Sequence, residues 1–338
     1  MISLVQISNG SSRRVALVAE PHLRCLAGVT SIYELASACI SVDASFTGRV
    51  NELAIGELLS YDDIYDGKSE WRLLQPIDVP GTPERMLVSG TGLTHLGSAK
   101  DRQAMHERTA TEAAKPMTDS MRMFEWGIAG GRPREGEIGT PPEWFYKGSG
   151  LMLRPPFAPL TAPAYAEDGG EEAEIAGIYL IAPDGTPHRI GLCGGNEFSD
   201  HQFERRNYLN LAGSKLRQCS IGPELVVDAK FGSVAGEVCI ERDGIPIWRK
   251  AIESGENNMS HNLANLEHHH FKFEDHRVPG QVHVHFFGAH SLSFGEGITL
   301  ADGDWMVVRF EGYGRALRNP LGIENKTLNR LVGVKALV

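Results

Sequence analysis

Two glutamates stand one residue apart in Glu172-Ala-Glu174, at the head of an apolar run from Ile175 to Ile181. In an extended strand, residues i and i+2 point to the same face, so this spacing aims two carboxylates at one point while Ala173 faces away. Two like charges held together repel unless a cation or a proton lies between them. A third acid, Glu197, follows in the glycine-rich stretch Gly194-Gly195-Asn196-Glu197-Phe198-Ser199, read as a turn. Three converging carboxylates make an all-oxygen site for a hard divalent cation, with coordination positions left for water and substrate. Lys147 and Lys215 are candidates for holding a substrate carboxylate or for acting as the base that removes a substrate proton, since a lysine buried beside a metal has a lowered pKa.

A chain of 338 residues with 41% apolar and 22% charged residues can bury a substantial core. Its net charge of -10 excludes nucleic acid and anionic membranes as principal partners. The five cysteines are scattered, with no CxxC pair, which is neither a zinc nor a disulfide framework. No apolar run reaches membrane-spanning length and no leader is visible at Met1, so a cytoplasmic protein is expected.

Ile2–Ile7 and Arg14–Val18 frame the turn Asn9-Gly10-Ser11-Ser12 and predict a hairpin. Residues 31–40 and 51–59 read as short amphipathic helices. The proline-rich stretch Gln75–Pro83 marks a boundary between a small N-terminal α+β domain, residues 1–82, and a larger domain, residues 83–338. Met86–Ser89 begins the larger domain as a strand, residues 98–125 read as polar helix, and 128–142 as an exposed loop. From residue 175 onward short apolar strands alternate with Asp-Gly turns, a cadence that predicts an antiparallel sandwich or roll.

Several blocks flank the acidic pair in a fixed order. They are Phe145-Tyr-Lys147, Leu160-Thr-Ala-Pro163, Glu172-Ala-Glu-Ile175, Asn196-Glu-Phe-Ser199, Cys219-Ser-Ile-Gly-Pro223, and Gly303-Asp304 leading to Glu311-Gly-Tyr-Gly-Arg-Ala-Leu-Arg-Asn319. This order, over roughly residues 86–325, resembles the fumarylacetoacetate hydrolase (FAH) superfamily. The resemblance implies an α+β, mainly β fold: an FAH-type mixed β-sandwich roll catalytic domain behind a smaller N-terminal domain. It implies a Mg²⁺ ion, with Mn²⁺ as the alternative, on Glu172, Glu174 and Glu197, and a homodimer. The third ligand in that family is usually Asp.

The family often carries a histidine for hydrolysis where this chain has Ser98, in Gly92-Leu-Thr-His-Leu-Gly-Ser98. That departure, with Gly312-Tyr-Gly-Arg-Ala-Leu-Arg-Asn-Pro320, resembles the branch of 2-keto-3-deoxy-L-arabonate dehydratases. The implied activity is loss of water from a 2-keto-3-deoxy sugar acid to give 2,5-dioxopentanoate, with a small 2-keto acid as partner. The alternatives are C–C hydrolysis of an acylpyruvate or a 2,4-diketo-3-deoxy acid, and a non-enzymatic sugar-acid-binding protein. His106 and Glu107 lie in the polar helical stretch and read first as a solvated helix face; in relatives a segment after the first core strand can close carrying an acid/base pair, which makes them the candidate pair. Thr94, His95, Ser199 and His290 are the candidate substrate contacts.

Eight of the 13 histidines fall between His261 and His290, including His283-Val-His285. A His-x-His strand can present two imidazoles to a metal. The resemblance instead places His283 and His285 on an ordinary core strand. Arg315 and Arg318 read as structural.

Overall fold

A computed structural model describes residues 1–95, 97 and 118–337. His106, Glu107 and Ser98 lie outside the described residues. Among those described, strand outweighs helix, and the α+β, mainly β fold expected from the sequence is the one observed.

The N-terminal residues form the predicted hairpin, β1 (Ile2–Ser8) and β2 (Arg13–Ala19), followed by β3 (His22–Cys25). Helix α1 (Ile32–Ser41) begins where Ser31 accepts a hydrogen bond from the Glu34 amide and buries Ile32, Leu35, Ala36 and Cys39. The second helix differs from the sequence reading. Ser45 caps α2 (Phe46–Leu53), which ends before Gly56 and gives way to β4 (Leu58–Ser60). Gly56 ends the helical stretch because its backbone meets that of β3: a Cβ there would sit 2.6 Å from the Cys25 carbonyl. Helix α3 (Tyr61–Tyr65) and the short β5 (Arg72–Leu73) complete this part.

The central strands are β6 (Met86–Gly92), β7 (Glu143–Ser149), β8 (Leu153–Arg154), β9 (Leu160–Ala162), β10 (Ala173–Ile181) and β11 (Pro187–Asn196). Helix α4 (Asp119–Gly130) lies between β6 and β7, and runs into the segment read as loop. Two short helices, α5 (His201–Arg206) and α6 (Leu211–Lys215), follow β11 and lead to β12 (Cys219–Ile221) and β13 (Leu225–Val227). Then come β14 (Val234–Arg242), β15 (Ile245–Ser254), helix α7 (Leu263–Phe271), β16 (Val282–Phe286), β17 (Trp305–Phe310) and β18 (Leu317–Ile323).

A 13-stranded mixed sheet runs β4-β3-β2-β1-β13-β11-β10-β16-β6-β7, with β5, β8 and β12 attached at its flank. A five-stranded sheet runs β15-β14-β17-β18-β9. The large sheet crosses the sequence position of the proposed boundary, because β1 pairs antiparallel with β13. One core joins Leu4, Val15 and Ile32 to Ala176, Ile178 and Val284; a second joins Ile175 and Phe198 to Val238 and Val308.

Strand β10 serves both cores. Ala173 and Ile175 face the second, and Ala176, Ile178 and Leu180 face the first. Followed back toward the N-terminus, the even-numbered row passes from apolar side chains to Glu174 and Glu172. The carboxylates therefore stand where this buried row reaches the end of the strand.

Candidate metal centre

The register of β10 against β11 brings the third carboxylate into place. Ala173 pairs with Asn196 and Glu174 with Gly195, and the Glu197 amide donates to the Glu172 carbonyl at 2.9 Å, extending the ladder by one step. Glu197 is thus the cross-strand neighbour of Glu172, and directly opposed residues have closely spaced Cβ atoms. The glycine-rich stretch read as a turn is the end of β11. Gly195 serves close packing: a Cβ there would lie 2.6 Å from the Phe286 ring. Ligand oxygens of Glu172, Glu174 and Glu197 lie within 4.8 Å of one another, and all three residues are buried.

Each carboxylate is held separately. Glu174 Oε2 accepts the Gly288 amide at 2.7 Å. Gly288 has φ +102°, and a Cβ there would collide with Thr94 Oγ1, so glycine is required for this contact. Glu172 Oε1 accepts from Lys215 Nζ, and His201 Nε2 lies 3.1 Å from the same oxygen. Glu197 Oε1 pairs with Lys147 Nζ at 2.6 Å, and its Oε2 with Lys215 Nζ at 3.0 Å. Lys147 Nζ also donates to the carbonyls of Phe198 at 2.7 Å and Lys215 at 3.1 Å. Those partners use its three N–H groups, so Lys147 tethers Glu197 and the chain around Lys215.

The electrostatics are those of a site short of positive charge. Burial, then the charges of Glu197 and Glu172, push the Glu174 carboxyl well above the usual range. Burial also pushes Glu197 up to about 7, against the pull of Lys147 and Lys215. Burial raises Glu172 too, but Lys215 and His201 outweigh it and hold that carboxyl well below the ordinary value. Lys215 goes the other way from an isolated buried lysine: burial disfavours its charge, yet Glu172 and Glu197 raise its proton affinity above the ordinary value. A hard divalent cation fits this set, since its ligands are all oxygen and its charge relieves the repulsion that pushes Glu174 and Glu197 upward.

A cavity opens on Glu172, Glu174 and Lys215, walled by Gly92, Glu143, His201, Tyr208, Ser291 and Phe294 among others. Glu143, His201 and Tyr208 were not singled out in the sequence. Strand alternation reveals Glu143, which shares a face with Phe145 and Lys147 on β7. His201 lies two residues beyond Ser199, and nothing in the spacing marks Tyr208. Glu171, next to the acidic pair, is also buried; its oxygens accept the Ser293 amide and hydroxyl, each at 2.8 Å, and so anchor the wall that carries Phe294.

The four candidate substrate contacts occupy different places. Ser199 Oγ donates to the Glu197 carbonyl at 2.8 Å and accepts from Lys215 Nζ at 3.2 Å, which puts it against the triad. Thr94 Oγ1 donates to the Phe287 carbonyl at 2.5 Å, behind Gly288. His95 is wholly buried with Nε2 3.1 Å from Ser254 Oγ, and burial lowers its pKa to about 3. His290 Nδ1 lies 2.9 Å from Ser291 Oγ. Of the four, only Ser199 touches the carboxylate cluster directly.

His283 and His285 sit on the buried strand β16, as read from the sequence. His285 Nδ1 is 2.8 Å from Ser89 Oγ and His283 Nδ1 is 2.8 Å from His270 Nε2. Among the described residues the one metal-competent cluster is the glutamate triad. Arg315 binds Glu20 and Asp62 and stacks over Tyr61, and Arg318 pairs with Glu241, both in structural positions.

No family model and no curated protein matches this chain. Solved structures do. The apo form of 2-keto-3-deoxy-D-arabinonate dehydratase aligns with TM-score 0.68 at 16% identity, covering 96% of this chain and 100% of that one. The same enzyme complexed with magnesium and 2,5-dioxopentanoate gives TM-score 0.68 at 16% identity and the same coverage. The 5-carboxymethyl-2-hydroxymuconate delta-isomerase from Mycobacterium smegmatis aligns with TM-score 0.56 at 17% identity, over 96% of this chain and 100% of that chain. These likenesses establish a shared fold over nearly the whole length. No helix among the described residues is long and apolar enough to cross a membrane.

Proposed function

We propose that this chain is a member of the FAH superfamily and a Mg²⁺-dependent dehydratase of a 2-keto-3-deoxypentonate, with 2-keto-3-deoxy-L-arabonate as the substrate. The observation that carries this reading is the buried triad Glu172, Glu174 and Glu197, on a fold shared with a dehydratase whose complex contains magnesium and 2,5-dioxopentanoate. Glu172, Glu174 and Glu197 would hold the cation, which would supply polarisation of a substrate carbonyl and so acidify the adjacent protons.

The reaction removes one C3 hydrogen and the C4 hydroxyl as water. A proton then moves from C5 to C3, and the resulting enol becomes the C5 aldehyde of 2,5-dioxopentanoate. Lys215 keeps its proton at neutral pH because Glu172 and Glu197 favour its charged form, which suits it to donate toward the departing C4 oxygen. A base must then come from elsewhere in the cavity. Glu143 is a buried carboxylate on that wall and outside the triad, and it takes the C3 proton. Lys147, with its N–H groups committed to Glu197, Phe198 and Lys215, holds the triad.

C4 ceases to be a stereocentre when its hydroxyl leaves, so both enantiomers give one product and each acid has to be tested separately. Purified protein with Mg²⁺ is incubated separately with the L and D acids, following substrate loss and 2,5-dioxopentanoate. Product from the L acid alone supports the full proposal, and product from the D acid alone keeps the dehydratase and reverses the stereochemistry. Pyruvate from a 2,4-diketo-3-deoxy acid, with neither pentonate consumed, replaces the dehydratase with a hydrolase.

A further inference from the structure

Glu143 sits in a seat built from two sides. It stands directly opposite Gly92 in the β6–β7 register, and a Cβ on Gly92 would lie 2.2 Å from Glu143 Oε1. The glycine therefore leaves the space that the carboxylate fills. From the other side, Tyr208 OH donates to Glu143 Oε2 at 2.9 Å. Tyr208 belongs to the segment between α5 and α6, the two helices that also carry His201 and Lys215. Glu143, Tyr208, Gly92, Lys215 and two of the triad glutamates all border one cavity.

From this geometry we infer that Tyr208 is a positioning residue, whose hydroxyl fixes the Glu143 carboxylate at the cavity wall and sets its proton affinity. The inference rests on the dehydratase reading for the step that Glu143 performs, and on contacts alone for the positioning. A phenol donating to a carboxylate favours the ionised form. It also fixes Oε2, while Oε1 packs over Gly92, so the carboxylate rotor is held from both sides. The hydrogen bond couples the α5–α6 segment, which bears Lys215, to β7, which bears Glu143. The proton donor and the proton acceptor are thereby held in one frame.

Tyr208→Phe removes the hydroxyl and keeps the ring. The expected result is a fall in kcat of about 10- to 100-fold, a part of the roughly 100- to 10,000-fold that a positioned general base contributes. KM for the 2-keto acid is expected to stay within about twofold, and the acidic limb of the kcat profile to move up by about one pH unit, as a carboxylate that loses a hydrogen bond holds its proton longer. Gly92→Ala, which crowds the same carboxylate without touching Tyr208, is expected to lower kcat as well. Mg²⁺ binding by calorimetry should match the wild type in Tyr208→Phe, since the hydroxyl does not touch the triad.

An unchanged kcat and pH limb in Tyr208→Phe overturns the inference, as does a loss confined to KM or to Mg²⁺ affinity. If the wild type consumes neither pentonate, the dehydratase reading fails by itself. The positioning is then decided by ¹³C NMR titration of selectively labelled glutamate, with the Glu143 resonance assigned by Glu143→Gln. A Glu143 midpoint that is the same in wild type and Tyr208→Phe overturns it, and an upward move in the variant upholds it. Should Tyr208→Phe fail to fold, the same titration on Gly92→Ala decides: an unmoved Glu143 midpoint overturns the built seat.

Discussion

Lys215 Nζ lies 3.0 Å from Glu197 Oε2 while donating to Glu172 Oε1, so a single ammonium bridges two carboxylates of the triad. One fixed positive charge thus already balances part of the acidic cluster, and Glu174, which has no lysine partner among its hydrogen bonds, is the carboxylate driven furthest upward. Removing the cation by Lys215→Met is expected to abolish dehydration. It should also lower the thermal midpoint of the metal-free protein, because two buried carboxylates each lose one of their partners. Added Mg²⁺ should restore more of that midpoint in the variant than in the wild type. Scanning calorimetry with and without Mg²⁺ measures both effects, and an unchanged metal-free midpoint contradicts the bridging role.

Glu172→Gln and Glu174→Gln each remove one anionic ligand and keep the side-chain shape. Each is expected to weaken Mg²⁺ binding by at least about 10-fold and to suppress turnover, with the fold intact by circular dichroism. A double variant that binds Mg²⁺ like the wild type would place the metal elsewhere.

Proton and metal compete for the triad. Glu197 has its carboxyl pushed up to about 7 from an ordinary 4.5. With the folded value above the unfolded one, this group contributes stability that is fully present below about 4.5 and is lost as pH rises through about 7. The ionised carboxylate, unfavourable in the metal-free protein, is the form that binds Mg²⁺. Mg²⁺ affinity should therefore rise as pH increases from about 6 to 8, and binding should release protons. Calorimetry in buffers of different ionisation enthalpy reads that release directly; no release at pH 6.5 contradicts the assignment.

The sequence located the triad by type and spacing, but its geometry depended on pairing. Glu172 and Glu174 were legible because strand alternation is a local property. Glu197 was picked out as the nearby third acid and placed in a turn, although Gly194, Gly195 and Asn196 before it close strand β11, because glycines that permit close sheet packing look the same in sequence as glycines that permit a turn. The first hairpin was read nearly to its ends, because each of its strands is an apolar run closed by turn residues. Helix α2 was displaced, since the stop at Gly56 is imposed by the Cys25 carbonyl, a contact 31 positions away in the chain. Glu143, His201 and Tyr208 escaped notice for the same reason: each owes its place in the cavity to a partner on another element.

Glu197 is a methylene longer than the aspartate usual in the family that the chain resembles, and both of its oxygens are engaged, Oε1 by Lys147 and Oε2 by Lys215. The extra length lets the carboxylate reach Lys147, which is itself wholly buried and bonded to two backbone carbonyls. Glu197→Asp should withdraw the carboxylate from both lysines. The expected outcome is a loss of Mg²⁺ affinity of about 10-fold, together with a destabilisation of about 3 kcal/mol for a buried charge pair pulled apart. Lys147→Met should destabilise by a similar ~3–5 kcal/mol, since it leaves the buried Glu197 Oε1 without its ammonium partner. Because both substitutions break one contact, the double variant should cost less than the sum of the two. Denaturant unfolding of the two single variants and the double closes that cycle, and full additivity would show that Lys147 and Glu197 act independently, so that the length of Glu197 is not set by Lys147.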